Sequence, residues 1–556
     1  MKEAFIIVYI SLCLTHTLSC KFGERYLVST KNGIVEGAKE FAVPTGKVYY
    51  RYSGIPFAKP PVGELRFEPP QPVEKWPFIL DATEEQPICL QSVETTVKTE
   101  KILGSEDCLY LNIYTPVPPG QTKDLAVMVW IYGGGFFEGD ITREIYGPDY
   151  LMNEDVIVVP IAYRLGIFGF FSTGDLQSPG NNGLKDLILG LQWVKNNIES
   201  FGGDPNRITI FSESAGAVAT SILTQTPLTK GLYNRAIMQS GLSHVIWAFS
   251  KKSAAVNDKT AELLGLTYSS SADLKHKLKL VPSRDLFAMS TLAANLVYGE
   301  RPFGGLATAP VIEPKHPNAV VTRDEFDVLK SGDFNLTPLL IGFTSLETVD
   351  YPLNALFTAY LTNANLESSY LVPENFNIKD PKVKKHVGDL IKKRYFGSVN
   401  AKIFGDRQLI PFAADVFFYV TILEAVSLYA KHTNVSLYEF SYLGVRGNPL
   451  RSYNWGVGHG EELNYLFYRE TSPKVSNLTD VRVTRTLTRL WANFAKEGNP
   501  TPRPDPLLQN VRWPTVGKDR TYLDINEHLV VKQDPHGDDY RFWSYLFSKY
   551  RLPNDA

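Results

Sequence analysis

A serine hydroxyl lies where an apolar run gives way to small residues that favour a helix. Residues 208–211 are apolar or β-branched, and small residues follow from Ala215 onward. Ser214 falls between these patterns, with Ser212 and Gly216 two positions away on either side. The pattern is typical of a nucleophile elbow, a strand–turn–helix that exposes a serine for attack on an acyl carbon. By itself it fits an ordinary serine in a strand–helix loop equally well.

Acyl transfer by a serine also requires donors that stabilise the oxyanion. Three glycines in Tyr132-Gly-Gly-Gly-Phe136 directly follow an apolar run and can present backbone N–H groups with no side chain in the way. Together with the N–H of Ala215, the residue after the serine, they predict an oxyanion hole. The alternative interpretation of the three glycines is a flexible turn.

The best candidate for the base is a histidine late in the chain. Of the nine histidines, His459 lies in a loop between two glycines. Serine hydrolases of the α/β class have the chain order serine, acid, histidine, which places the acid between Ser214 and His459. Glu347 and Asp350 both lie just beyond the apolar run 339–343. Position alone does not choose between them, and either could be a surface charge.

The elements that must position these groups predict an α/β fold. Continuous apolar runs at 125–132 and 156–163 are typical of strands buried on both faces, and 186–198 has helical spacing. Such alternation indicates a large, mostly parallel central sheet flanked by helices, with helical insertions at 250–329 and 381–432. The elbow then lies at the carboxyl edge of the sheet. We expect one catalytic domain over residues 21–556.

The first 20 residues predict export. Lys2 precedes an apolar run at 5–14 and then small polar residues, as in a secretory signal peptide. A buried N-terminal helix is the alternative. No later stretch of about 20 apolar residues occurs, so the sequence predicts a secreted, extracellular protein with no stable membrane anchor.

Cysteines, sequons and charge agree with that compartment. Cys13 and Cys20 lie in or beside the predicted signal, which leaves Cys89 and Cys108 to pair in an oxidising environment. Clustered ligands for a metal are absent from the sequence near these cysteines. With 57 basic and 59 acidic residues and no basic run, nucleic acid is excluded as a partner. The sequence has candidate glycosylation sites at Asn335, Asn434 and Asn477.

Motifs spread over nearly the whole mature chain resemble the type-B carboxylesterase family, an α/β-hydrolase family that includes cholinesterases and many insect esterases. The motifs are Gly54-Ile-Pro-Phe-Ala58, Arg66-Phe67, Glu106-Asp-Cys-Leu-Tyr-Leu-Asn112, Gly133-Gly-Gly-Phe136, Asn182-Gly-Leu-Lys-Asp186, Phe201-Gly-Gly-Asp-Pro205, Glu213-Ser-Ala-Gly216, Met238-Gln-Ser-Gly241 and Gly458-His-Gly460.

The resemblance implies a role for each candidate site residue. The resemblance implies that Ser214 is the nucleophile, Glu347 the acid and His459 the base, with Gly134, Gly135 and Ala215 forming the oxyanion hole. It also implies that Cys89 and Cys108 form the family's first disulfide and that Trp247 lines the acyl pocket. Glu213 would be a buried carboxylate beside the nucleophile, and Ser240 would support the triad. For Trp247 a core aromatic is the alternative. Phe136 is a further candidate for substrate binding.

Three positions depart from the family pattern without removing a catalytic group. Ser212 replaces the first glycine of the elbow, where a Cβ would be strained if the backbone required a positive φ. Thr348 replaces the usual glycine after the acid, and Tyr132 replaces the commoner histidine. We expect these three departures to slow turnover.

The sequence therefore predicts a secreted serine esterase that hydrolyses carboxylic esters through an acyl-enzyme and needs no cofactor. Its partner is a small-molecule ester, with neutral aliphatic or aryl esters favoured and xenobiotic, pheromone or hormone esters as possible classes. The alternative is a catalytically silent adhesion homologue of the same fold. Silent members usually lack a triad group and carry a membrane segment, whereas this chain keeps all three triad groups.

Overall fold

The computed structural model of this 556-residue chain describes residues 25–94, 100–298, 305–349, 355–403, 406–447, 454–469 and 477–552. The predicted signal peptide over residues 1–20 lies outside these ranges, as does Asp350.

A large mixed sheet organises the protein. The strands are, in chain order, β1 Tyr26–Ser29, β2 Ile34–Phe41, β3 Val48–Pro56, β4 Ile79–Asp81, β5 Gln91–Glu94, β6 Glu100–Leu103, β7 Tyr110–Thr115, β8 Leu125–Ile131, β9 Ile157–Pro160, β10 Gly203–Glu213, β11 Arg235–Gln239, β12 Leu339–Thr344, β13 Val435–Phe440, β14 Tyr522–Ile525 and β15 Leu529–Lys532. Within the described ranges, the main sheet has the order β1-β2-β3-β7-β9-β8-β10-β11-β12-β13-β14-β15, with β4 beside β2.

The pairing changes from antiparallel at both ends of the sheet to parallel in its centre. Strands β9, β8, β10, β11, β12, β13 and β14 run parallel to their neighbours in that order, whereas β1, β2, β3, β7 and β15 pair antiparallel. The central strands are buried on both faces, which explains their unbroken apolar sequences. The predicted α/β fold is confirmed.

Helices cover the sheet. They are α1 Arg143–Tyr146, α2 Gly166–Phe170, α3 Asn182–Asn197, α4 Ser214–Gln225, α5 Ser253–Leu263, α6 Ser271–Leu280, α7 Ser283–Tyr298, α8 Glu325–Ser331, α9 Ala355–Leu366, α10 Pro381–Phe396, α11 Asp406–Ala414, α12 Val420–Tyr429, α13 Leu463–Leu466, α14 Leu478–Glu497 and α15 Gly537–Tyr550. A π-helical turn, Asp415–Tyr419, joins α11 directly to α12.

Among the described residues, one helical stretch is long and apolar enough to cross a bilayer, which the sequence analysis missed. It is Arg407–Tyr429, which comprises most of α11, the π turn and α12, and its most apolar window has a mean hydropathy of 1.8. That window is 89% buried inside the protein, which is typical of a core helix.

The disulfide and the sequons have distinct surroundings. Cys89 and Cys108 are bonded to each other, as predicted. Asn434 and Asn477 are exposed, and the Asn477 side chain also caps α14 by accepting from the N–H of Asp480 at 2.7 Å. Asn335 is partly buried, and its Nδ2 atom donates to Thr226 O at 3.1 Å and to Thr229 Oγ1 at 3.0 Å. A glycan on Asn335 would therefore displace existing hydrogen bonds.

Candidate active site

The turn between β10 and α4 holds Ser214 in a strained backbone conformation. Ser214 has a φ of 55°, in the left-handed region that non-glycine residues seldom occupy. A Cβ on Gly216 would lie 2.2 Å from the carbonyl oxygen of Ile131, so only glycine fits there. Ser212 instead lies within β10, and its Oγ donates to Ile237 O at 3.2 Å. The positive φ falls on Ser214, so the backbone strain considered for Ser212 does not occur.

Three side chains form an unbroken chain of hydrogen bonds at the carboxyl edge of the sheet. His459 Nε2 lies 2.8 Å from Ser214 Oγ, and His459 Nδ1 lies 2.6 Å from Glu347 Oε2. The other oxygen of Glu347, Oε1, accepts from Ser240 Oγ at 2.6 Å and from the N–H of Thr344 at 2.8 Å. The carboxylate is therefore fixed on both oxygens.

The parallel strands explain how residues so distant in sequence meet. Ser214 follows β10, Ser240 follows β11 and Glu347 follows β12, and these three strands are adjacent in the sheet. The N–H of His459 donates to the backbone carbonyl of Glu347 at 3.2 Å, which ties the histidine loop to the acid turn. Glu347, one of the two carboxylates that the sequence left open, lies on the histidine, and Asp350 is outside the described residues.

A second carboxylate approaches the same imidazole. Glu213 Oε1 lies 3.1 Å from His459 Nε2. Burial alone would lower the pKa of His459, but the charges of Glu213 and Glu347 outweigh it and raise that pKa to about 9. Burial also raises the pKa of Glu213, an effect that the positive charge of His459 partly offsets. The surroundings of His459 therefore favour a positive charge on its ring.

Glu462 is a third buried carboxyl group near Glu213 and Glu347. Burial, together with the charges of Glu213 and Glu347, raises the pKa of Glu462 to about 8, which favours its protonated form at neutral pH. Its Oε1 accepts from Gln239 Nε2 at 3.0 Å, and Gln239 Oε1 accepts from Trp491 Nε1 at 3.0 Å. The sequence analysis missed Glu462, although the pair of glutamates directly after Gly460 was a visible signal.

The glycine loop after β8 passes beside the nucleophile. A Cβ on Gly133 would lie 2.8 Å from the Cβ of Ser214, so the backbone approaches closely. Gly134 and Gly135 follow with φ angles of 97° and 58°. Ala215 lies in the first turn of α4, where N–H groups have no partner within the helix. All three predicted oxyanion donors are therefore on loops or termini that border Ser214.

Aromatic side chains also pack near His459. The ring of Phe418 lies 4.9 Å from the His459 ring, and the Trp247 ring lies 5.8 Å from that of Phe418. Trp247 is 7% exposed, and its Nε1 donates to Phe417 O at 3.0 Å. Phe418 therefore lies between Trp247 and the histidine. The sequence analysis missed Phe418 because the helical segment around it is apolar on several faces.

Phe136, the further candidate for substrate binding, packs in the interior. It is fully buried, and its ring contacts Phe170 edge-on at 5.0 Å. The next residue, Phe137, is 44% exposed, and its ring lies against Gly135. Phe136 also has a positive φ, 65°. Tyr132 is also buried, and its ring stacks on Tyr163 at 4.6 Å.

A mostly parallel sheet with a nucleophile elbow and a hydrogen-bonded serine, histidine and glutamate at its carboxyl edge defines a serine hydrolase of the α/β-hydrolase class. The model of the carboxylesterase family matches residues 24–543. The chain belongs to the carboxylesterase family.

Individual relatives span most of the chain. A juvenile hormone esterase from Tribolium castaneum is 34% identical, over 88% of this chain and 85% of the relative. A carboxylic ester hydrolase from Bombus ignitus is 34% identical over 90% of each chain, and carboxylesterase 1E from Mus musculus is 32% identical over 91% and 90%. The crystal structure of juvenile hormone esterase from Manduca sexta, with OTFP covalently attached, has a TM-score of 0.83 at 28% identity, covering 94% of this chain and all of that one. The protein is accordingly a carboxylic ester hydrolase.

Proposed function

We propose that Ser214, His459 and Glu347 are the catalytic triad of this ester hydrolase. The observation that carries the proposal is the continuous pair of short hydrogen bonds, 2.8 Å from serine to histidine and 2.6 Å from histidine to glutamate. One bond is at Nε2 of the imidazole and the other is at Nδ1. When Nε2 takes up a proton, the carboxylate at Nδ1 stabilises the positive charge of the ring.

The proposed reaction has two halves. His459 Nε2 accepts the proton of Ser214 Oγ as that oxygen attacks the ester carbonyl, and the same proton then passes to the leaving alcohol. The ester C–O bond breaks and an acyl-enzyme remains. Water then attacks the acyl carbon, His459 accepts its proton, and Ser214 leaves with that proton as the carboxylic acid departs. The report of a covalently attached compound in the Manduca sexta relative supports a covalent step in this family.

We assign stabilisation of the oxyanion to the N–H groups of Gly134, Gly135 and Ala215. The loop and the first turn of α4 border Ser214, and donors fixed in advance stabilise developing charge without reorganisation. Ser240 holds the orientation of Glu347 by donating to its Oε1. Trp247 would close the acyl side of the pocket through its contact with Phe418.

The substrates we propose are neutral aliphatic or aryl esters. The ring of Phe418 beside His459 and that of Trp247 beside Phe418 favour an apolar acyl group, and Phe137 adds an exposed ring at the glycine loop. The named relatives include juvenile hormone esterases and general carboxylesterases, so hormone and xenobiotic esters are both compatible classes. We further propose a secreted, glycosylated protein in which residues 21–556 form one catalytic domain, supported by the disulfide and by the continuous family match.

A panel of nitrophenyl and naphthyl esters of graded acyl length tests this proposal. We expect a stoichiometric burst of phenol followed by steady turnover, with kcat/KM passing through a maximum as the acyl chain grows. The matched control is Ser214→Ala, which should give neither burst nor turnover. Absence of turnover across the whole panel by the folded wild-type protein would instead support the silent homologue.

A further inference from the structure

The π turn lies between two helices that would otherwise form one continuous helix. It follows α11, which contains Pro411, and is itself followed without interruption by α12. A π turn holds one more residue than an α turn, which is costly, and such turns occur frequently at functional sites. In this protein the five-residue turn contacts both the acid and the base of the proposed triad.

Tyr419, the last residue of the π turn, closes the backbone turn that carries Glu347. Its hydroxyl donates to Thr344 O at 2.9 Å and accepts from the N–H of Glu347 at 3.0 Å. The tyrosine is 2% exposed, and His536 stacks on its ring with centroids 3.8 Å apart. Burial holds the pKa of Tyr419 well above its ordinary value, so the hydroxyl keeps its proton.

The next residue after the acid makes a second tie to the same helical stretch. Thr348 is fully buried, and its Oγ1 donates to the backbone carbonyl of Ile410 at 2.8 Å. Ile410 lies in α11, directly before Pro411. The acid turn is therefore attached to this helical stretch at two points, through Thr348 to α11 and through Tyr419 to the last residue of the π turn.

The same short segment reaches the base and the pocket. Phe418 contacts the ring of His459, and the carbonyl of Phe417 accepts from Trp247 Nε1. Three consecutive residues, from Phe417 to Tyr419, thus contact the pocket tryptophan, the histidine and the acid turn in that order. A shift of the segment would change all three positions together.

We propose that Tyr419, with Thr348, is a positioning residue for Glu347: its hydroxyl fixes the acid turn so that the carboxylate meets His459 at 2.6 Å. This inference rests on the proposed function, because it needs Glu347 to be the acid. Tyr419 touches neither the serine nor the imidazole through its hydroxyl, so it acts through Glu347. Without the hydroxyl, the N–H of Glu347 loses its acceptor within a buried site.

The test compares Tyr419→Phe with Tyr429→Phe. Tyr429 is a fully buried tyrosine of α12 whose hydroxyl contacts Ser221, Thr224 and Gln225, away from the acid. We expect Tyr419→Phe to lower kcat about tenfold or more with KM changed by less than about twofold, because geometry in the transition state is lost. Tyr429→Phe should lose thermal stability to a similar extent and keep kcat. Rates are expressed per active site, counted by the burst of phenol.

Two further comparisons separate positioning from a general structural role. Thr348→Ser keeps the hydroxyl and should retain kcat, whereas the isosteric Thr348→Val should lose it. If Tyr419 acts through Glu347, adding Tyr419→Phe to Glu347→Gln should cost little beyond Glu347→Gln alone.

The inference is overturned if Tyr419→Phe keeps kcat within twofold while Glu347→Gln loses it. It is also overturned if Tyr419→Phe and Tyr429→Phe lose kcat equally. A Glu347→Gln variant with unchanged kcat would reject the proposed acid itself, which is a different result.

Discussion

Glu213 and His459 are in direct contact: Glu213 Oε1 lies 3.1 Å from His459 Nε2, the nitrogen that also faces Ser214 Oγ at 2.8 Å. A negative charge at this distance stabilises the imidazolium that forms when the serine is deprotonated. It also stabilises the imidazolium of the resting enzyme, which cannot act as a base. We therefore expect Glu213 both to help the reaction and to raise the pH above which it starts.

The first prediction concerns this charge. Glu213→Gln removes a cause of the raised pKa of His459, so the acid limb of kcat/KM against pH should move to lower pH by about one unit. The plateau should fall about tenfold, because the transition state loses the same attraction. The measurement is a pH profile with a neutral nitrophenyl ester.

Glu462→Gln is the matched control for that profile. The charge of Glu462 is a weaker cause of the raised pKa of His459 than that of Glu213, and glutamine can keep the hydrogen bond from Gln239. Its acid limb should therefore move to lower pH by less than that of Glu213→Gln. If both variants moved the limb equally, the assignment of the effect to the charge of Glu213 would be wrong.

The second prediction is that Ser214→Ala abolishes hydrolysis. The loss should be on the order of a million-fold, as in other triads whose nucleophile is removed. Folding should be little affected, because the alanine removes only an oxygen. The measurements are turnover, the burst of phenol and the melting temperature. Substantial residual turnover would place the nucleophile elsewhere.

The third prediction distinguishes the two carboxylates after β12. Glu347→Gln should lower kcat far more than Asp350→Asn, because Glu347 holds the tautomer of His459 through a 2.6 Å contact. Asp350 lies outside the described residues, so its variant tests the sequence-based alternative directly. Comparison of the two kcat values decides, and a reversed order would overturn the acid assignment.

The fourth prediction concerns a buried histidine away from the site. His244 Nε2 lies 2.8 Å from Glu424, and Nδ1 lies 3.3 Å from Glu325. Burial would lower the pKa of His244, but hydrogen bonds to Glu325 and Glu424 raise it to about 9. Arg551 near the C-terminus also pairs with Glu424, at 2.8 Å.

The folded state binds the proton of His244 more tightly than the unfolded state does. The contribution of this proton to the free energy of unfolding is therefore complete below about pH 6.5 and is lost as pH rises through about 9. The stability difference between the wild type and His244→Gln should therefore be larger at pH 6 than at pH 9.5, by up to about 3 kcal/mol. Chemical denaturation at both pH values measures it. An equal difference at both pH values would show that the proton on His244 does not contribute.

The sequence predicted those parts of the site that depend on local patterns. The elbow serine, the glycine loop and the histidine between glycines each need small neighbours at fixed positions, and such needs are visible in the chain. The choice between Glu347 and Asp350 was not, because it depends on where the chain turns after β12. A shift of three residues changes which carboxylate meets the histidine.

Other features could not be predicted because they arise from backbone geometry. An apolar helix shows no sign of a π turn, so the contact of Tyr419 with the acid turn has no sequence signal. The loop places Phe136 in the interior and leaves Phe137 exposed, which the sequence does not indicate. The same holds for the elbow, where the strain falls on Ser214 itself and leaves Ser212 unstrained in β10.

The last prediction concerns the charge of the substrate. A quaternary ammonium needs an aromatic face, which is worth up to about 2 kcal/mol when the cation is desolvated. In cholinesterases, which the chain resembles, that face includes a tryptophan inside the first disulfide loop. Here the loop between Cys89 and Cys108 contains no aromatic residue, and it carries Lys98 and Lys101. The positive charges, if they face the substrate path, would repel a cation.

We therefore expect neutral esters to be preferred over choline esters with the same acyl group. The measurement is kcat/KM for acetylcholine and for its neutral carbon isostere, which has the same shape without the charge. The isostere should be the better substrate, and raising the salt concentration should narrow the difference because salt screens exposed charges. A clear advantage for acetylcholine would mean that other rings, such as the exposed Phe137 or Trp455, supply the missing face. Replacing each of these with leucine would then identify which ring binds the cation.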